Sequence, residues 1–356
     1  MKSKYLFALL IPALFLYMII DTKEETTNYT SNPNLETNPP SNDWQGNPID
    51  GNGQFQNLYH PFESSLKDLL KWKLSKNPQK SEKETDDRTL PVSVKGYDFD
   101  STEDYIIWLG HASYLIRVDG VTFITDPLLI DNLFLKRKSE LPFPLEQFPQ
   151  IDYLLLSHNH RDHCDKSSIK WLSEQNPNLK ILTGLGVNSV INSWIDKQEV
   201  QEAGWYQAYN LNDSDLVIHY VPSRHWSKRW LNDDQKSLWG GFYIQSKNQS
   251  IYFMGDSGAG PHFNDIKNTL GSPEYCLMGI GAYKPEWFMH QAHISPNDAI
   301  EAFNVLEGSY FIPMHYGTFD LSDEPLLEPW DIIEKNQNKI YGELIQPILG
   351  KNLIKN

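Results

Sequence analysis

The apolar positions of the chain change their spacing several times, and each change marks a segment. Residues 5–20 are an unbroken apolar run without a polar face, with Lys2 and Lys4 before it and Asp21, Glu24 and Glu25 after it. Between about 26 and 60 the apolar pattern fades into Asn, Pro, Ser and Gly, which predicts a flexible tether. Leu66, Leu70 and Leu74 then recur at helical spacing beside Trp72, giving a short leading helix within 64–83. From about 104 onward, short apolar runs alternate with helical segments. Residues 106–109, 114–118 and 121–125 read as strands, the last two joined by Asp119-Gly120, a strong two-residue hairpin signal. Residues 151–156 are almost continuously apolar, as in a strand covered on both faces. Asp165 can cap a helix that runs to Gln175, before Pro177 stops it. Further strands are expected at 216–221, 242–245, 251–254, 275–279 and 311–314, and helices at 262–270 and 296–306.

Strands interleaved with helices, opening with antiparallel hairpins, predict an α/β layered sandwich rather than a doubly wound parallel sheet. The chain divides into a signal anchor or signal peptide (1–25), a tether with its leading helix (26–89) and one domain (90–356). Positive charge before the first apolar run and acid after it is an export pattern. The run is short of the roughly 20 residues of a comfortable span. No Ala-x-Ala site follows it and no cysteine is available for lipidation. An uncleaved anchor is therefore favoured, with the body of the protein outside the cytoplasm.

Composition narrows the function. A chain of 356 residues with 40% hydrophobic and 13% aromatic content builds a core. A net charge of −15 excludes a general nucleic-acid binder, which needs a basic face. It also excludes adhesion to anionic lipid through a polybasic patch. Two bound divalent cations would offset part of that acidity. Cys164 and Cys276, the two cysteines, are too few for a disulfide framework or a Cys-rich zinc module. A single bridge between them stays open, although Cys276 lies in an apolar run that reads as a buried strand.

The chemistry concentrates at His158-Asn159-His160-Arg161-Asp162-His163, directly after the buried strand. Three imidazoles and a carboxylate within six residues are costly to gather without a cation. His158 and His160 alternate and can face one ion; Asp162 and His163 can reach a second. Three later strands each run into another donor: His225 after Pro222-Ser223-Arg224, Asp256 after Gly255, and His315 after Met314. Active groups gather where strands end together. The seven donors, His158, His160, Asp162, His163, His225, Asp256 and His315, suit two metals sharing a bridging carboxylate. Histidine and carboxylate without thiolate favour two Zn(2+), leaving manganese and iron open.

With these motifs the sequence resembles the metallo-β-lactamase superfamily, and most of all its N-acyl-phosphatidylethanolamine-hydrolysing phospholipase D family. The resemblance covers roughly 90–325. It rests on Trp108-Leu109-Gly110-His111-Ala112, Thr125-Asp126-Pro127, the His158–His163 cluster, His225-Trp226-Ser227-Lys228-Arg229, Gly255-Asp256-Ser257-Gly258, the stretch 281–289, His293-Ile294-Ser295-Pro296 and His315-Tyr316-Gly317. It implies a four-layer αβ/βα sandwich in which His158, His160 and His225 hold one zinc, Asp162, His163 and His315 the other, and Asp256 bridges them. The implied activity is hydrolysis of N-acyl ethanolamine phospholipids to N-acylethanolamine and phosphatidate. A lactonase or other ester hydrolase on the same scaffold is the enzymatic alternative, and a membrane-tethered metal-binding protein without catalysis is the other.

Roles for single residues follow as expectations. A water between two cations ionises near neutral pH, and Asp162 would orient it while coordinating. His293, outside the ligand set, is either the acid for the departing alkoxide or a residue that caps the Ser295–Leu306 helix or simply packs. His111 either touches substrate or makes a supporting hydrogen bond to a ligand. Arg161 points to solvent or substrate, with a bearing on head-group preference. Asp126 fixes a loop or a ligand histidine. The run 128–138, apolar and then Lys136-Arg137-Lys138, either packs or forms a lip toward lipid. The partners implied are a phospholipid and a membrane surface, with no nucleic acid; the oligomeric state, a homo-oligomer included, is left open.

Overall fold

In the computed structural model, which describes residues 27–63, 65–93, 97–131, 135–211 and 215–355, the stretch expected to be a tether is built into the domain. It carries strands β1 (Asn28–Thr30), β2 (Glu36–Thr37) and β3 (Asn47–Ile49). This corrects the tether expectation: Leu35 and Phe55 are buried in the core, and side-chain hydrogen bonds fasten the polar stretches between them. Asn47 is fully buried; its carbonyl oxygen accepts from the Trp205 N–H at 2.8 Å and its amide donates to Thr30 O at 2.8 Å. Asn32 and Gln207 bond reciprocally through the Gln207 side chain. Asparagine-rich composition therefore marks polar docking here. The anchor expected at 1–25 lies outside the described residues, and no helix among them is long and apolar enough to cross a membrane. The leading helix forms at Leu66–Leu74, started by a Ser65–Asp68 capping box.

The first sheet has six strands in order: β4 (Tyr105–Gly110), β5 (Ser113–Val118), β6 (Val121–Thr125), β7 (Tyr153–Leu156), β8 (Lys180–Gly184) and β9 (Glu199–Ala203). Its first three are antiparallel and the rest parallel. Asp119 and Gly120 turn the hairpin with φ of 50° and 80°, the pair of positive values a type I′ turn requires. Strand β9 was not expected, because Glu199-Val200-Gln201-Glu202 carries no apolar alternation and lies at the sheet edge.

The second sheet is built from β10 (Gln207–Ala208), β11 (Val217–Val221), β12 (Gly241–Gln245), β13 (Ser250–Phe253), β14 (Tyr275–Gly279), β15 (Tyr310–Met314) and β16 (Glu343–Leu344), with β2 at its edge beside β10. Alternation along the strands sorts the layers. Leu154 and Leu156 of β7 join Ile169 and Leu172 of the helix Lys166–Gln175, while Tyr153 and Leu155 face the other cluster. On β13, Phe253 meets Tyr114 of the opposite sheet at 6.5 Å, and Tyr252 meets Phe263 of the helix His262–Leu270 at 6.5 Å. Phe311 of β15 stacks on Phe303 of the helix Pro296–Leu306. Two sheets thus pack face to face with helices outside each. Every such fully buried Leu, Ile or Phe contributes roughly 1.5–3 kcal/mol. Strands β4, β7, β11, β13 and β15 end at one rim, and each hands on to a histidine or aspartate.

Candidate metal centre

Five strand ends deliver the donors. His111 follows the irregular end of β4, where the register shifts between Trp108 and Gly110. His111, Asp126 and His315 all adopt positive φ (54°, 33° and 62°), a conformation that side chains rarely hold without support. The support is visible. The His315 N–H donates to His111 O at 3.1 Å, and the His111 N–H donates to Thr318 Oγ1 at 2.8 Å.

The donors form two adjoining groups, each with its ligand atoms within 4.8 Å of one another: His158, His160 and His225; and His111, Asp162, His163 and His315; two overlapping sets join Asp126 to His158 and His163, and Asp256 and His293 to His225. In the first, His160 Nδ1 lies 2.9 Å from His158 Nε2 and 3.0 Å from His225 Nε2. In the second, His163 Nε2 lies 3.3 Å from His315 Nε2 and 3.5 Å from Asp162 Oδ2. Asp256 stands between them. Its Oδ2 is 3.1 Å from His163 Nε2, 3.8 Å from His225 Nε2 and 3.9 Å from His158 Nε2, while its Oδ1 is 3.0 Å from His315 Nε2. All seven predicted ligands are brought together.

On three of the rings the nitrogen turned away from this centre is occupied, while the buried His160 Nε2 meets no partner among the described residues. His163 Nδ1 donates to Asp126 Oδ2 at 2.8 Å, and His225 Nδ1 to Ala292 O at 2.9 Å. His158 Nδ1 donates to Ser157 Oγ at 2.8 Å, and that hydroxyl donates to Asp126 Oδ2 at 2.6 Å. With their far nitrogens protonated, these three rings aim lone pairs inward. Lone pairs of neutral imidazoles cannot satisfy one another at 3 Å. Two ligands at about 2.0–2.1 Å on a tetrahedral ion sit roughly 3.3–3.4 Å apart, so the donor set fits divalent cations.

Electrostatics agree. Burial pushes His158 and His225 well below the usual imidazole value, with neighbouring histidines adding to the shift. Burial brings His160 down to about 4. For Asp162 and Asp256 burial favours the neutral acid, yet His163 and the other histidines outweigh it and hold both well below the usual carboxylate range. His163 is raised well above the usual value: burial opposes its charge, but Asp256, Asp162 and the bond to Asp126 prevail. Ionised carboxylates and neutral imidazoles are the forms that bind metal, and a cation would take over the positive role of His163.

A cleft of about 620 Å³ opens over the centre, with His160, Asp162, Asp256 and His293 in its wall. Apolar Trp226, Met289 and Leu321 share it with Arg161, Lys166, Lys228 and Arg229. His293 Nδ1 lies 3.8 Å from Asp256 Oδ2, and burial brings it to about 4. Ser295, not His293, caps the helix Pro296–Leu306, so the capping alternative falls away. Arg161 sits at the cleft as expected, 4.9 Å over the Trp230 ring. His111 does not line the cleft. It is buried, and its Nε2 lies 3.1 Å from Asp162 Oδ2, so the substrate-contact expectation is corrected to a hydrogen bond that orients a ligand. Burial and nearby His315 push it down to about 3. Cys164 and Cys276 are buried and free, so the bridge left open in the sequence does not form.

Of the run 128–138, residues 132–134 lie outside the described part. Leu128 and Leu129 are buried, and Arg137 donates to Leu128 O at 3.0 Å and Ser139 O at 3.2 Å. This end of the run packs. Sequence reasoning missed Ser157, whose position before the cluster was the available signal. It also missed Asn57, which bonds both backbone groups of His225 from a segment read as a tether.

Residues 122–316 match the Beta-lactamase superfamily domain. The N-acyl-phosphatidylethanolamine-hydrolyzing phospholipase D 1 of Caenorhabditis elegans is 32% identical over 275 residues, covering 72% of this chain and 76% of that protein. The mitochondrial N-acyl-phosphatidylethanolamine-hydrolyzing phospholipase D of Saccharomyces cerevisiae is 31% identical over 259 residues, 70% of this chain and 55% of its own length. Among solved structures, a metallo hydrolase of Ignicoccus hospitalis shares the fold with a TM-score of 0.55 and 19% identity, covering 70% of this chain and 97% of its own. The chain belongs to the metallo-β-lactamase superfamily of metallohydrolases and, within it, to the N-acyl-phosphatidylethanolamine-hydrolysing phospholipase D family. The fold implies a divalent-metal site, and the chain carries a histidine and aspartate cluster that could hold one.

Proposed function

We propose that the chain is a binuclear zinc phosphodiesterase that cleaves N-acyl-phosphatidylethanolamines to N-acylethanolamine and phosphatidate. The observation that carries this reading is Asp256, whose two oxygens reach both donor groups. His158, His160 and His225 would hold one ion, and Asp162, His163 and His315 the other. His111 fixes the Asp162 carboxylate through its 3.1 Å contact. Two ions there would activate water and neutralise charge on the phosphoryl oxygens.

The surrounding residues fit a lipid phosphodiester. Arg161, Lys166 and Lys228 give the cleft positive charge for the phosphate, while Trp226, Met289 and Leu321 give apolar wall for acyl chain. Water oxygen joins phosphorus as the bond to the ethanolamine oxygen breaks, and the departing alkoxide needs a proton. His293 is the group in the cleft wall able to hand it over. Burial lowers His293 to about 4, and an anionic phosphodiester beside it shifts the balance toward the protonated form. The membrane-anchored placement outside the cytoplasm rests on the pattern of residues 1–25 alone.

The test is a side-by-side assay of zinc-loaded protein on N-acyl-phosphatidylethanolamine vesicles and on a lactone. Release of N-acylethanolamine with little lactone opening is expected. Lactone hydrolysis without phosphodiester turnover contradicts the reading.

A further inference from the structure

The segment before the catalytic domain reaches the metal centre at two points, both on the same donor group. Asn57 clamps His225 by its main chain. Its Nδ2 donates to His225 O at 2.9 Å, and its Oδ1 accepts from the His225 N–H at 3.2 Å and from Trp239 Nε1 at 3.0 Å. Five residues on, the Phe62 ring stacks on Trp226 with centroids 5.0 Å apart and planes at 7°. Trp226 in turn packs edge-on against His160 at 4.5 Å. The arm itself is pinned nearby. Phe55 is buried and its N–H donates to Gln235 O at 2.8 Å, while Gln54 Nε2 donates to Asp234 O at 2.9 Å.

Among the described residues, the other group receives nothing comparable from this arm. His163 is held by Asp126, His111 by Thr318, and His315 by the His111 carbonyl, all from within the domain. The arm also lies outside residues 122–316, the part that matches the superfamily domain. We infer that Asn57 and Phe62 are positioning residues that brace His225 and His160, so that the N-terminal arm sets the metal affinity of the three-histidine group and leaves the Asp162–His163–His315 group to the domain. The inference rests on the two-ion reading above. His225 sits on a loop between β11 and β12, and the outward nitrogen of its ring bonds Ala292 O. Its main chain is therefore the second handle on its lone pair, and Asn57 holds both polar atoms of it. Supporting partners of this kind typically change metal affinity by about 10–100-fold.

The experiment is a cobalt titration of the full-length, metal-free protein against a competing chelator, following the visible absorption of each binding step. Wild-type protein is expected to fill in two resolvable steps. Asn57→Ala should weaken one step by roughly 10–100-fold and leave the other within about two-fold. Asn57→Asp keeps the acceptor for the His225 N–H and Trp239 but loses the donor to His225 O, so it should fall between. Phe62→Leu, a milder change at the surface of the arm, should weaken the same step and no other. A His158→Ala protein identifies which step belongs to the three-histidine group. Two unchanged steps in all three arm variants overturn the brace and leave the metal reading intact, as does equal weakening of both steps. Wild-type protein that takes up no cobalt overturns the metal reading, and the brace with it.

Discussion

Asp126 Oδ2 accepts from His163 Nδ1 at 2.8 Å while also accepting from the Ser157 hydroxyl that holds His158, so one buried carboxylate orients a histidine in each donor group. Its Oδ1 accepts from the Ser157 N–H at 2.8 Å as well. Asp126→Ala leaves three buried donors without partners, each costing about 1–3 kcal/mol. Metal affinity should fall about 10–100-fold. Calorimetric melting of the metal-free variant and chelator competition measure the two effects separately, and an unchanged affinity would remove Asp126 from this role.

His293 borders the cleft without bonding a ligand nitrogen. His293→Ala should lower kcat on the phosphodiester by about 10²–10⁴-fold with metal content unchanged. A steady-state assay with elemental analysis of the same preparation checks this. An unaltered kcat withdraws the proton-donor assignment.

Arg161 reaches the cleft over Trp230 and bonds the Arg229 carbonyl at 3.2 Å. Arg161→Glu should raise KM for an anionic phospholipid several-fold, corresponding to about 1 kcal/mol for an exposed charge, with kcat little altered. Equal KM values in the two proteins would mean that substrate does not pass this side chain.

A separate pH effect lies behind the site. His262 Nε2 bonds Ser257 Oγ at 3.0 Å, and burial, with Arg224 and His60 nearby, pushes it down to about 3. Its ordinary value is about 6.5, so between roughly pH 3 and 6.5 the unfolded chain binds the proton more readily. This contribution to stability is fully present above about pH 6.5 and is lost as pH falls toward 3. Urea unfolding of metal-free protein across that window should show a flatter acid limb for His262→Gln than for wild type. Parallel limbs would show that His262 does not carry the effect.

How much was legible in the sequence depends on the kind of signal. Residues 151–156 and the Asp119-Gly120 turn announced β7 and the β5–β6 hairpin, because period and turn chemistry are local. The seven donors were legible because four crowd the loop after one apolar strand and the other three each follow another, and strands that run the same way end at one rim. Asn47 and Asn57 were not. Their side chains bond backbone groups more than a hundred residues away, and no local pattern encodes such a pairing. The sequence left His111 between two roles for a related reason. Its distance from Asp162 depends on how β4 and β7 sit in one sheet, which spacing along the chain does not show.

The central claim is that two divalent ions occupy the donors joined by Asp256. Elemental analysis of zinc-dialysed protein, measured per chain, tests it most directly. The account predicts about two ions per chain. A ratio of one that excess zinc does not raise, or of none, would contradict it.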